Sequence, residues 1–187
     1  MRLRLWSFAA ALVCAASPAF AAQWAITPDP QAITWQGTTG GSTPLTGACA
    51  KFDGDISFDP ESLSTSSVVI RIDTGSCLTG DTQKDAYIPQ AVWFNVAAFP
   101  TATFEAKTFE HVSGDKYIAT GTLTLKGISQ PVILPFTLTI KDKEAHVMGE
   151  TVLQRLDFNI GNDPQLSVPT VAGPDVKVKI DMKATSK

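Results

Sequence analysis

Between residues 175 and 187, apolar and charged positions alternate. Val176, Val178, Ile180, Met182 and Ala184 fall on one side of an extended chain, with Lys177, Lys179, Asp181 and Lys183 on the other. A period of two marks a β-strand with one buried and one wet face. The same period runs through Val68/Ile70/Ile72, Ala102/Phe104/Ala106, Tyr117/Ala119/Gly121/Leu123/Leu125 and Leu134/Phe136/Leu138/Ile140, each set interleaved with Thr, Lys, Arg, Asp or Glu. Gly114-Asp115 and Gly127 lie between these runs and predict hairpins, so the long strands are antiparallel neighbours. Residues 81–88 lack alternation, open on Asp81 as an N-cap and stop at Pro89, which predicts a helix of about two turns. A second short turn is expected over 91–95. About eight strands with so little helix must cover their own apolar faces, as a sandwich or a barrel. The inward set mixes Ala and Gly with Phe, Leu and Trp, which favours an eight-stranded antiparallel barrel with a hollow interior.

The first 21 residues follow a different pattern. Arg2 and Arg4 precede an apolar stretch over 5–16, and Ala19-Phe20-Ala21 has the form of a cleavage site, so an export signal cleaved near Ala21 is expected. The expected mature chain is then residues 22–187, 166 residues (187 − 21), a single domain placed in the periplasm. Its charge is −5, since the loss of two Arg leaves 13 basic residues against 18 acidic ones. That balance argues against nucleic acid and anionic headgroups as partners. Cys49 and Cys77 remain, an even pair in a compartment that permits disulfides; two buried thiols are the alternative.

Several groups imitate reactive sites. Asp53, Asp55, Ser57, Asp59 and Glu61 alternate like calcium ligands, but Phe58 stands where the loop needs Gly and Ser64 where it needs Glu. Ser113-Gly-Asp-Lys116 matches S-x-x-K, yet sits in an expected hairpin turn without partner motifs. His111 and His146, the only histidines, have no metal-ligand spacing. No phosphate-binding or dinucleotide fingerprint is present, and no acid, base and nucleophile assemble, so neither catalysis nor a metal is expected.

Five motifs in order carry a family resemblance: Trp24-Ala-Ile-Thr-Pro28; Gly47-Ala-Cys-Ala-Lys-Phe-Asp-Gly-Asp-Ile-Ser-Phe-Asp-Pro60; Ile72-Asp-Thr-Gly-Ser-Cys-Leu-Thr79 with Lys84-Asp85; Trp93-Phe-Asn-Val-Ala-Ala-Phe-Pro-Thr-Ala-Thr-Phe104; and Gly121-Thr-Leu-Thr-Leu-Lys-Gly-Ile-Ser-Gln-Pro-Val132 followed by Arg155-Leu-Asp-Phe-Asn-Ile-Gly161. From residue 23 to 184 the chain resembles the YceI-like family of lipocalin-like periplasmic proteins. The resemblance implies an extended barrel whose lumen holds an isoprenoid such as a polyprenol or ubiquinone-like lipid, carried or sequestered without chemistry. Trp35, Phe58, Trp93, Phe94, Phe104, Gly121, Leu123, Leu125, Phe136, Leu138 and Phe158 are the expected lining. Asp85, Arg155 and Asp157 are candidates for a polar headgroup at the mouth, the alternative being that Arg155 pairs with Asp85 or Asp157 to fix a loop. An accessory that holds quinone for a membrane b-type cytochrome, and a structural domain with a filled core, are the competing readings. Two departures matter. Cys49 and Cys77 replace inward aromatic and apolar positions, so they are expected to bridge, and Thr38-Thr39-Gly40-Gly41 stands where the family often has a His.

Overall fold

The computed structural model describes residues 21–164 and 172–187. The leader expected over residues 1–21 falls, but for Ala21, outside the described residues. Eleven strands form one sheet: β1 Gln23–Ile26, β2 Ile33–Thr39, β3 Thr43–Cys49, β4 Phe52–Ser57, β5 Ser67–Asp73, β6 Cys77–Leu78, β7 Thr101–Ser113, β8 Lys116–Leu125, β9 Ile128–Lys141, β10 Glu144–Gln154 and β11 Asp175–Ser186. Every pairing between them is antiparallel, and β1–β11 contact closes the sheet into a barrel.

The wall has eight strand positions because three of them are broken. β1 and β2 both run beside β11, at opposite ends of it: Trp24 opposes Ser186, and Trp35 opposes Val178. β4 pairs with β1 and β3 with β2; β5 then pairs with β4 and β6 with β3. The break between β5 and β6 is a 3₁₀ turn, Thr74–Ser76, capped by the Asp73 carboxylate on the Gly75 N–H. Here the ring is incomplete. β7 begins at Thr101, opposite Asp73, so no β7 residue pairs with β6. Segment 79–100 fills that place. Its only regular helix is α1, Thr82–Asp85, half the expected length, capped by Asp81; turns occupy 86–94.

The disulfide joins Cys49 to Cys77, directly opposed residues of β3 and β6. It tethers a strand of two residues that lacks a second neighbour.

The hairpins use the residues that alternation leaves between strands. Lys126 and Gly127 both have positive φ, 52° and 76°, and connect β8 to β9 in two residues; Gly114, at 57°, turns β7 into β8. One end of the barrel is plugged. The Trp24 indole N–H donates to the Phe58 carbonyl at 2.9 Å, and the Phe58 ring meets Phe109, Tyr117 and Phe136 edge-on, with centroids 5.2, 6.0 and 6.3 Å away. Among the described residues no helix is long and apolar enough to cross a membrane.

Candidate binding cavity

Above the aromatic plug the barrel is hollow, with a cavity of about 820 Å³. That lies within the few hundred to about 1,000 Å³ of typical ligand sites. Alternation builds it. On β10 the inward row is Ala145, Val147, Thr151 and Leu153, ending at Arg155; on β11 it is Val176, Val178, Ile180, Met182 and Ala184. From Ala145 to Arg155 the row covers about 33 Å of strand, so the lumen is long and narrow.

Trp35, Phe58, Trp93, Phe94, Phe104, Leu123, Leu125, Phe136, Leu138 and Phe158 all line this space. Gly121 does not, a correction to the sequence reading. It lies opposite Ala106 under the Phe104 ring, and a Cβ built on it would stand 2.5 Å from the Glu105 carbonyl oxygen and 2.8 Å from Phe104 Cε2. Glycine is there to let β7 and the ring approach, not to leave room for a ligand. Gly121→Ala is therefore expected to destabilise by about 1–3 kcal/mol, a loss readable in a denaturant titration. An unchanged midpoint would show that the Phe104 ring yields freely.

Pattern reading also missed lining residues. Phe109 is one: Lys107 and Thr108 together oppose Thr120, a bulge that shifts the inward set of β7 from even to odd numbers. The short β1 and β4 contribute Trp24 and Ile56, and segment 79–100 contributes Tyr87 and Ile88. Trp24, Tyr87 and Ile88 belong to no alternating run long enough to be read, whereas Ile56 shares the period of two that turns Phe52 and Phe58 inward.

The headgroup candidates also need correction. Arg155 lines the cavity but is only 5% exposed. Its Nε donates to the Gly173 carbonyl at 2.8 Å, Nη1 to those of Ile160 at 2.7 Å and Gly161 at 3.0 Å, and Nη2 to that of Ala172 at 2.8 Å. Burial lowers its pKa, and the carbonyls replace the water that a buried cation loses. The expected partners lie elsewhere. Asp85 accepts from the Thr79 N–H and hydroxyl, both at 2.7 Å, and from the Gly80 N–H at 3.0 Å. Burial opposes its ionisation and nearby Asp81 adds to that, but these donors outweigh both and hold it below the usual carboxylate range. The Asp157 carbonyl accepts from Gln130 Nε2 at 3.0 Å, and neither acid lines the cavity.

Of the other polar groups around the lumen the buried Trp35 indole N–H has no partner among the described residues, whereas several are similarly engaged. The Thr74 hydroxyl donates to the Phe99 carbonyl and Gln90 Nε2 to that of Ala86. Lys84 pairs with Asp81. Lys126, whose pKa burial lowers, donates to the carbonyls of Val92 and Asn159 and ties segment 79–100 to the turn after β10. Of the calcium-like acids, Asp53 and Asp55 pair with Arg71. His111 meets the Gly114 carbonyl and His146 meets Asp181, each on an exposed face.

A closed antiparallel barrel with a plugged base and a long apolar lumen belongs to the class of hollow β-barrels, with space and lining of the kind that suit an apolar ligand. Residues 24–184 match the YceI-like domain, and the chain belongs to that family. It is 33% identical over 125 residues to a UPF0312 protein of Azotobacter vinelandii and 34% identical over 125 residues to Protein YceI of Salmonella newport. Each match takes in 64% of this chain and 65% of the relative, so the chain spans about two thirds of the length of these curated relatives. Among solved structures, BcnA of Burkholderia cenocepacia superposes with a TM-score of 0.77 at 27% identity, over 82% of this chain and 95% of that one. A polyisoprenoid binding domain from Saccharophagus degradans, implicated in plant cell wall breakdown, shares the fold at a TM-score of 0.69 and 13% identity, over 89% and 99%.

Proposed function

We propose that this chain is an exported, non-catalytic carrier that binds the hydrocarbon tail of a polyprenyl lipid, a quinone or polyprenol, inside the barrel. The observation that carries the proposal is the long apolar lumen, around which Arg155, Thr74 and Gln90 are hydrogen-bonded to the protein and the buried Trp35 indole N–H has no partner among the described residues. Binding is then driven by burial, at about 0.8 kcal/mol for each CH₂ removed from water. No grip on a headgroup is required, so the polar end sits at the Arg155 end of the lumen and the tail points toward the Phe58 plug. The polyisoprenoid-binding domain of the same fold is consistent with this ligand class.

Organic extraction of the protein after gentle purification from the periplasm is expected to release a prenyl lipid in near-stoichiometric amount; protein that folds and releases no lipid would overturn the reading. A variant sharpens the test. Ala119 lines the cavity opposite Phe109, so Ala119→Phe adds a ring to empty space. It is expected to keep its melting temperature within a few degrees and to lose most of its lipid. In a core without usable space the same ring would overpack and cost about 1–3 kcal/mol.

A further inference from the structure

The barrel wall is uneven in one place. β8 and β9 are paired from Lys116–Thr137 to Leu125–Ile128, and β10 and β11 from Glu144–Thr185 to Gln154–Asp175. Between them, β9 and β10 pair only from Lys141–Glu144 to Phe136–Gly149, although both strands run on. The sequence supplies the reason. The Pro135 carbonyl faces Gly149 and the Ile133 carbonyl faces Thr151, so alternation turns the backbone of residues 131, 133 and 135 toward β10. Two of those three are prolines, which have no N–H to give. Beyond Gly149 the seam is spanned by the Thr151 hydroxyl, which donates to the Ile133 carbonyl at 3.0 Å, and is bounded by the Gln130–Asp157 bond.

The seam leads from solvent into the cavity. Val132, Leu134, Thr151 and Leu153 flank it on the inside and line the lumen. On the outside stand Ile133 and Val152, 60% and 53% exposed, among the most exposed large apolar side chains of the barrel. In the register set by Phe136–Gly149 these two are opposed. Each strand keeps a complete ladder on its other side, so the two can part here without unzipping the rest of the wall.

We propose that the seam between β9 and β10 is a side passage through which the ligand's apolar chain enters and leaves the lumen; this rests on the lipid-binding reading above. The passage explains why two apolar side chains are left in water. They offer a hydrocarbon a continuous apolar path from the outer surface to Leu134 and Leu153.

The test separates rate from capacity. Ubiquinone with a two-isoprene tail, presented in phosphatidylcholine vesicles, serves as the probe, and quenching of tryptophan fluorescence reports its arrival beside Trp35 and Trp93. Ile133→Cys/Val152→Cys, once oxidised, is expected to slow uptake at least tenfold while the final occupancy stays the same. Thr137→Cys/Met148→Cys bridges the same strands within their paired half and should leave the rate unchanged. Thr151→Val removes the spanning hydroxyl and should speed uptake several-fold. Uptake by the bridged seam variant at the control rate, or no acceleration in Thr151→Val, overturns the passage while the lipid-binding reading stands. Absence of quenching in the unmodified protein overturns both.

Discussion

Arg155→Leu is expected to destabilise the barrel by about 4 kcal/mol, the scale seen when one side of a buried ionic or charge-assisted network is removed. The side chain is 5% exposed and donates to the carbonyls of Ile160, Gly161, Ala172 and Gly173. Leucine fills much of the space but returns none of those hydrogen bonds, so the acceptors stay buried and unpaired. For a domain of this size each kcal/mol moves the melting temperature by about 2–4 °C, which places the expected loss near 12 °C. Arg155→Lys keeps the charge but lacks the planar fork that reaches several acceptors together, and should recover only part of it. A calorimetric scan decides the matter. If Arg155→Leu melted with the parent protein, the carbonyl cradle would be dispensable and a headgroup role for Arg155 would return.

Loss of the disulfide is the other large effect. Cys49 and Cys77 are 28 residues apart, and a loop of that length contributes about 3.6 kcal/mol through the entropy of the unfolded chain. The Cys49→Ala/Cys77→Ala double variant is expected to lose up to that amount, seen as a lower denaturant midpoint. The effect should be local as well as global. β6 has two residues and pairs only with β3, so without the bridge the amides of β6 and of segment 79–100 should exchange faster than those of β8–β11. Uniform acceleration across all strands would show that the bridge acts only on the unfolded chain.

The long hairpins were legible in the sequence because each carries one buried face, and a slip of one residue would turn every apolar side chain outward. The runs ending in Leu125, Ile140 and Ala184 therefore appear as strands with the expected faces inward. Of the broken strands, β5 was legible through Val68, Ile70 and Ile72, but β1 and β6 have four and two residues, too few to show a period. Phe109 was hidden by a bulge, which two consecutive polar residues cannot announce. The two misread sites share another cause. Gly121 and Arg155 are defined by backbone oxygens, of Glu105 for one and of residues 160, 161, 172 and 173 for the other. A main-chain carbonyl is the same at every position of a sequence, so its convergence on a site leaves no mark there.

The aromatic plug has a consequence for what the barrel can distinguish. If the lumen holds a hydrocarbon tail as proposed, its apolar lining would tell ligands apart by how far they reach, and the rings of Phe58, Phe109, Tyr117 and Phe136 would be the fixed zero of that scale. On that reading, affinity is expected to climb with each isoprene unit until the tail meets those rings and then to level off, because further units would stay in water. The proposed carrier would in that sense be a ruler for hydrocarbon length, graduated in inward-facing rows and stopped at Phe58.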